Sequence, residues 1–151
     1  MRLPAQPGER IDRSQTIEFL FNGNRVSGYL GDTIGSALYA SGQRVFSRSF
    51  KCHRPRGLAC CSGHCANCQM TVDGIPSVRV CTAPLREGAV VKGQNYVGSL
   101  THDLMQVTDK LGGPFTPPGF YYKTFIRPRK LWPLYEKVLR GAAGLGPLDP
   151  K

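Results

Sequence analysis

Four of the chain's six cysteines fall within nine consecutive residues, in "CCSGHCANC" at positions 60–68, and Cys81 follows after twelve more. The pattern Cys60-x4-Cys65-x2-Cys68…Cys81 puts three thiols on one loop and a fourth on a separate element. Such a set closes around a common centre only if the loop curls tightly. Gly63 sits inside that loop, where a side chain would keep the backbone from approaching the centre and donating N–H bonds to its sulfurs. Ser62, Ala66 and Asn67 are small as well. The segment is built for close backbone approach.

The compartment decides what such thiols do. The start "MRLPAQPGERIDRS" has no apolar core of a secretory signal, and the longest apolar runs are far too short to cross a membrane. A cytoplasmic protein is expected, with thiols that stay reduced. Six cysteines there read as metal ligands or reactive thiols before disulfides. The spacing is that of plant-type 2Fe–2S proteins, which makes Cys60, Cys65, Cys68 and Cys81 the candidate ligands of a cluster. Structural zinc is the rival, since it also takes four thiolates, but zinc ligands come as two short pairs. A Cys61-x3-Cys65 register would spoil the x4 spacing and move Gly63 within the loop. Cys52 and Cys61 are accordingly read as small polarizable residues packed near the centre.

A hydrophobic fraction of 40% over 151 residues permits a real core, while 18 glycines and 12 prolines demand many turns. "TIEFLF", "NGN" and "RVSGYL" read as a hairpin around an Asn-Gly turn. In "GDTIGSALYASG", Asp32 or Thr33 caps a helix with Ile34, Ala37, Leu38 and Ser41 on one face, and Gly42 ends it. A short β run around Val45 and Phe46 leads into the cysteine loop. "CQMTV", "DGIP" and "SVRVC" read as a second hairpin, and "GAVVKG" as one more strand. A small mixed sheet crossed by one helix is an α+β arrangement. The expected organisation is an N-terminal extension over 1–13, a cluster domain over 14–95 and a tail over 96–151. In that tail, "SLTHDLMQVTDKLGG" reads as a helix capped by Thr101, and "PFTPPGFYYKTFIRPRK" as proline-broken. Leu131, Leu134, Tyr135, Val138, Leu139 and Ala142 share one helical stripe. That stripe docks either on the chain's own domain or on another subunit.

The net charge of +10 has a matching local pattern. From Thr33 to Val72 there is no Asp or Glu, yet Arg44, Arg48, Lys51, Arg54 and Arg56 are present. A four-thiolate 2Fe–2S centre carries about −2 oxidised and about −3 reduced. Nearby cations would stabilise the added electron and steer an acidic partner. Nucleic acid is the other taker of positive charge, but no recognition helix, RNP-type strand or aromatic platform accompanies these residues, so it is not expected as a partner. There is also no G-x-G-x-x-G, P-loop, nucleophile elbow or H-E-x-x-H. His64 is read as a neighbour of the ligands. No catalytic residue is expected on this chain.

Two longer stretches carry a family resemblance. "RIDRSQTIEFLFNGNRVSGYLGDTIGSALYASGQRVFSRSFKCHRPRG" resembles the N-terminal region of the alpha subunit of heterotetrameric sarcosine oxidase. "GFYYKTFIRPRKLWPLYEKVLRGAAGLG" is similar to the segment that joins that region to an FAD domain. The cysteine loop itself resembles the 2Fe–2S small subunits of FAD-dependent amine and amino-acid dehydrogenases, of the proline or hydroxyproline dehydrogenase, opine oxidase and hydrogen cyanide synthase type. The resemblance implies a β-grasp, ferredoxin-like domain followed by an extended, partly helical tail. It implies Cys60, Cys65, Cys68 and Cys81 as cluster ligands. It also implies a partner flavoprotein carrying FAD, with FMN as a second flavin. The function implied is electron relay in a complex that oxidises an amine or amino acid. A zinc-stabilised module contacting nucleic acid is the alternative.

Overall fold

The computed structural model describes residues 2–50, 52–107, 129–134 and 136–137. Local turn chemistry sets its first element pair. Strand β1 (Asp12–Phe21) and strand β2 (Asn24–Leu30) are joined by Asn22 and Gly23, both at positive φ (48° and 85°), the two-residue turn that matches strand twist. Alternate β1 residues Ile17, Phe19 and Phe21 face inward. Helix α1 (Ile34–Ala40) then crosses the sheet. Thr33 caps it, its Oγ1 accepting the Ser36 N–H while Ser36 Oγ accepts the Thr33 N–H (3.1 and 3.0 Å). Ile34, Ala37 and Leu38 are buried, as the spacing predicts.

Two short strands, β3 (Ser47–Arg48) and β4 (Pro55–Arg56), form a separate antiparallel pair ahead of the cysteine loop. The sequence places a β run at Val45–Phe46. In the structure Phe46 is a fully buried core residue and the strand begins one position later. Strands β5 (Gln69–Val72) and β6 (Ile75–Arg79) make the second hairpin. Its turn is Asp73–Gly74 alone (φ 49° and 83°), so Ile75 and Pro76 of the expected "DGIP" turn belong to β6. Strand β7 (Val90–Lys92) runs parallel to β1 and antiparallel to β5. The resulting five-stranded order, β2-β1-β7-β5-β6, is a mixed sheet with α1 across it, the α+β, β-grasp, ferredoxin-like arrangement. Phe19, Phe46, Leu38, Met70, Val80 and Val91 fill the space between, with Cys68 and Cys81 at its margin.

Residues 96–103 pack onto this domain. Leu100 is in the core, and Arg48, only 3% exposed, spends its guanidinium on backbone carbonyls of Leu100, Thr101 and His53. The short 3-10 turn Leu104–Gln106 is capped by Asp103, not by Thr101. Asp103 wins because its Oδ1 accepts both the Met105 N–H (3.1 Å) and the Val97 N–H (2.9 Å), while its Oδ2 lies 2.7 Å from His53 Nδ1. Arg129–Leu131 forms another 3-10 turn. The rest of the expected tail, including "PFTPPGFYY" and the stripe beyond Leu134, lies largely outside the described residues. Among the described residues no helix is long and apolar enough to cross a membrane.

The N-terminal segment is tied down by one buried carboxylate. Asp32 accepts both Arg2 guanidinium nitrogens (3.0 and 2.6 Å), the Ser36 hydroxyl (2.7 Å) and the Tyr29 N–H (2.9 Å). Burial works to raise its pKa, but the Arg2, Ser36 and Tyr29 hydrogen bonds outweigh it and hold the carboxyl below its ordinary value. A depressed folded-state pKa gives stability that is present above the unfolded value of about 3.9 and lost as pH falls through the folded one. Asp32→Asn is therefore expected to be destabilised at pH 7 and to show a flatter acid limb. Urea midpoints at pH 7 and pH 3 check this; an unchanged difference between the two pH values would exclude Asp32 as the source.

Candidate iron–sulfur centre

The cysteine loop runs from Gly57 to Cys68, between β4 and β5. Cys60 and Cys65 meet within it. The Cys65 N–H points at Cys60 Sγ (3.4 Å), and the chain turns back through positive φ at Cys61 (53°) and Gly63 (76°). Backbone N–H groups of Ser62 and then Cys65 favour the thiolate, and they hold the Cys60 thiol down at about 5. Cys60 is thus an anion at neutral pH and is exposed to solvent.

Cys68 and Cys81 are brought together by another device. The twelve residues between them are spent on the β5–β6 hairpin, whose register sets Gln69 opposite Arg79. Beyond that pair, the Val80 N–H donates to the Cys68 carbonyl (3.3 Å). Both thiols are buried, at 1% and 9% exposure. Burial pushes the Cys68 thiol up to about 11; the Cys81 N–H pulls against it, and the neighbouring Cys81 and Cys65 sulfurs add to the rise. A thiolate there needs a cation beside it.

Cys60 is thus set against Cys65 and Cys68 against Cys81, while Cys65 is near enough to Cys68 for its charge to be felt there. Among the described residues no three Cys, His, Asp or Glu side chains converge as ligands of one ion. Structural zinc needs all four donors around a single point. A 2Fe–2S centre has two irons and divides four thiolates between them. Cys60 beside Cys65 and Cys68 beside Cys81 can meet the second requirement.

Two glycines let these parts close up. Gly63 adopts a φ that suits glycine, and a Cβ there would stand 3.3 Å from Thr82 Cγ2, on the residue after Cys81. Its observed neighbour is thus the Cys81 segment. Gly35 was not singled out from the sequence. Its N–H donates to the Val80 carbonyl (2.8 Å), and a Cβ would meet that oxygen at 2.9 Å and Cys81 Cα at 3.2 Å. The available signal was a glycine early in a helix, where alanine is the better helix former. Gly35→Val is expected to cost about 2 kcal/mol by overpacking against backbone that cannot swing aside. Its urea midpoint and iron retention after dialysis are the measurements, and a wild-type value of both would refute the contact's importance.

The basic residues divide. Arg56 Nη1 donates to the Ala66 carbonyl (3.2 Å), inside the cysteine loop. Arg44 instead stacks on the Tyr39 ring, 3.7 Å from its centroid, and Arg48 is buried among carbonyls. Only part of the cationic run read from the sequence therefore faces the loop. His64 Nδ1 lies 3.0 Å from the Ser62 carbonyl oxygen and is exposed. Cys52 is half-buried, but Cys61 is exposed and not packed as expected, because its positive φ turns the chain outward on the way to Gly63.

Comparison with known proteins places the domain in a family. Residues 14–96 match the family model described as 2Fe–2S iron–sulfur cluster binding domain. Sarcosine oxidase subunit alpha of Rhizobium meliloti (strain 1021) is 42% identical over 90% of this chain, and that of Corynebacterium sp. (strain P-1) is 31% identical over 80%. The chain spans only 14% and 12% of those two relatives. Among solved structures, L-proline dehydrogenase from P. horikoshii superposes with a TM-score of 0.48 at 22% identity, over 55% of this chain and 16% of that one. With a family match covering more than half of its residues, the chain belongs to the 2Fe–2S iron–sulfur cluster binding domain family.

Proposed function

We propose that this chain is the electron-relay component of a flavin-dependent oxidoreductase acting on a secondary or cyclic amine or an amino acid. Cys60, Cys65, Cys68 and Cys81 hold a 2Fe–2S cluster, and the observation that carries this reading is the match of residues 14–96 to the 2Fe–2S cluster binding domain family, beside a loop that closes Cys65 onto Cys60. When bound, the cluster supplies a one-electron site between a two-electron flavin and a further carrier. The chain's own work is to hold the sulfurs and to aim N–H groups at Cys60. It also keeps Cys68 and Cys81 from water and leaves the Cys60 edge accessible. FAD, and FMN where a second flavin takes part, belong to partner subunits. Substrate oxidation takes place there too. The amine class is supported by the relatives named as sarcosine oxidase alpha subunits. The tail from residue 96, whose first residues 96–103 pack on this chain's own domain, serves as the clasp on the partner, a role supported by exposed Val97, Leu104, Val107 and Leu134.

The test is the chain purified together with its flavoprotein partner. Iron and acid-labile sulfide should be present in equal amounts, and a candidate amine added without oxygen should bleach the flavin and produce the EPR signal of a reduced cluster. A colourless preparation with one zinc per chain, or flavin reduction with no cluster signal, overturns the reading.

A further inference from the structure

We propose that Arg56 is a positioning residue of the iron–sulfur centre: it holds the Ala66 carbonyl away from the sulfurs and leaves the N–H side of the Cys65–Cys68 turn to the bound group. The inference rests on the cluster reading above and gives the β3–β4 pair a task in it. Arg56 Nη1 donates to the Ala66 carbonyl (3.2 Å) from a half-buried position on β4. Ser47 Oγ, on β3, lies 3.5 Å from the next carbonyl oxygen, that of Asn67. Both carbonyls therefore turn toward the same two strands. A trans peptide points its C=O and N–H in opposite directions, so the Asn67 and Cys68 N–H groups turn away from those strands.

The two strands are a firm support. Ser47 and Arg48 are buried, the Arg48 N–H donates to the Gln94 carbonyl (3.0 Å), and the Phe46 N–H donates to the Arg56 carbonyl (2.7 Å). At the far end of the turn the hairpin ladder stops short. The Val80 N–H reaches the Cys68 carbonyl, but the Val80 carbonyl takes the Gly35 N–H (2.8 Å) and not that of Cys68. Among the described residues, neither the Asn67 nor the Cys68 N–H has a protein acceptor. Cys68 is 1% exposed, and an N–H without a partner at such a site is costly. A bound group with sulfur acceptors supplies the partner. A flipped Ala66–Asn67 peptide would instead offer that group a carbonyl lone pair, which thiolate and sulfide repel. Arg56 opposes the flip.

The experiment uses the full chain with its cluster, handled without oxygen. Iron loss to excess EDTA is followed through the fading visible spectrum, and the reduction potential is titrated in parallel. Arg56→Met should lose iron about tenfold faster than wild type. Its potential should fall, because an N–H no longer turned to the centre stabilises the added electron less. Arg56→Lys keeps a donor of similar reach and should bring the loss rate back to within about threefold of wild type. Arg54→Met removes the same charge two residues away and should change the rate less than about twofold. The fall in potential of Arg56→Met should persist in about 1 M KCl, where a lost surface charge is screened within roughly 3 Å. A wild-type loss rate in Arg56→Met, an equal change in Arg54→Met, or a potential difference that vanishes in salt would each overturn the proposal. If Arg56→Met takes up no iron, Arg56→Lys decides: full loading upholds the proposal and none overturns it. A wild-type chain without iron and sulfide fails on the earlier reading and takes this one with it.

Discussion

Cys81→Ser protein is expected to emerge from purification nearly colourless, with iron and acid-labile sulfide below about a tenth of the wild-type content. Cys81 is the one donor outside the loop, delivered by the return strand of the β5–β6 hairpin. In the proposed assignment its loss would leave Cys68 to hold iron on that side alone, at a buried position where the thiol resists ionisation. A serine hydroxyl is a harder and far less acidic donor, so it does not replace the lost thiolate. Iron, sulfide and the visible spectrum are measured side by side with Cys61→Ser. That second variant alters an exposed thiol one residue from Cys60 and should keep its cluster. Full iron and colour in Cys81→Ser would end the proposed ligand assignment.

The second large effect falls on stability. Arg48→Met keeps most of the side chain's apolar length but removes every donor from a site that is 3% exposed. Nε and Nη2 reach the Leu100 carbonyl (2.8 and 2.5 Å), Nη2 also reaches Thr101 (2.9 Å), and Nη1 reaches His53 (3.1 Å). The substitution leaves three carbonyls without this charged donor and loosens the segment that brings Leu100 into the core. Charge-assisted bonds to buried acceptors put the expected loss at about 3–5 kcal/mol. It should appear as a lower urea midpoint with an unchanged slope. A shift of less than about 1 kcal/mol would mean that water replaces the guanidinium at little cost.

What could be read from the sequence follows the range of the interactions involved. Asn22-Gly23 and Asp73-Gly74 encode their turns in two residues, so both hairpins were legible. So was α1, whose cap and buried face repeat within one helical turn of each other. The β3–β4 pair escaped notice because each strand has two residues and no period to detect. The cap at Asp103 escaped for another reason: Thr101 and Asp103 are both good capping residues, and what favours Asp103 is its bond to Val97, a tertiary contact. Arg48 read as part of a cationic face, since nothing local says that Leu100 and Thr101 fold back over it. Spacing alone proposes the four candidate ligands, Cys60, Cys65, Cys68 and Cys81. Their division into pairs was not legible, because three on a loop and one apart suggests a different grouping from the one the hairpin register produces.

That hairpin acts as a ruler. The length of the stretch from Cys68 to Cys81 is set by two paired strands, a two-residue tip and the register shift between Met70 and Val72. Extra residues are tolerable at the Asp73–Gly74 end, where they lengthen the tip and leave the far end in place. A further insertion within β5 or β6 that is not taken up as a bulge, as the shift between Met70 and Val72 is, reverses the alternation of side chains and turns one sulfur away from its mate. Sequence variants of this domain should therefore differ in the spacing of their last two cysteines only by changes accommodated at the tip.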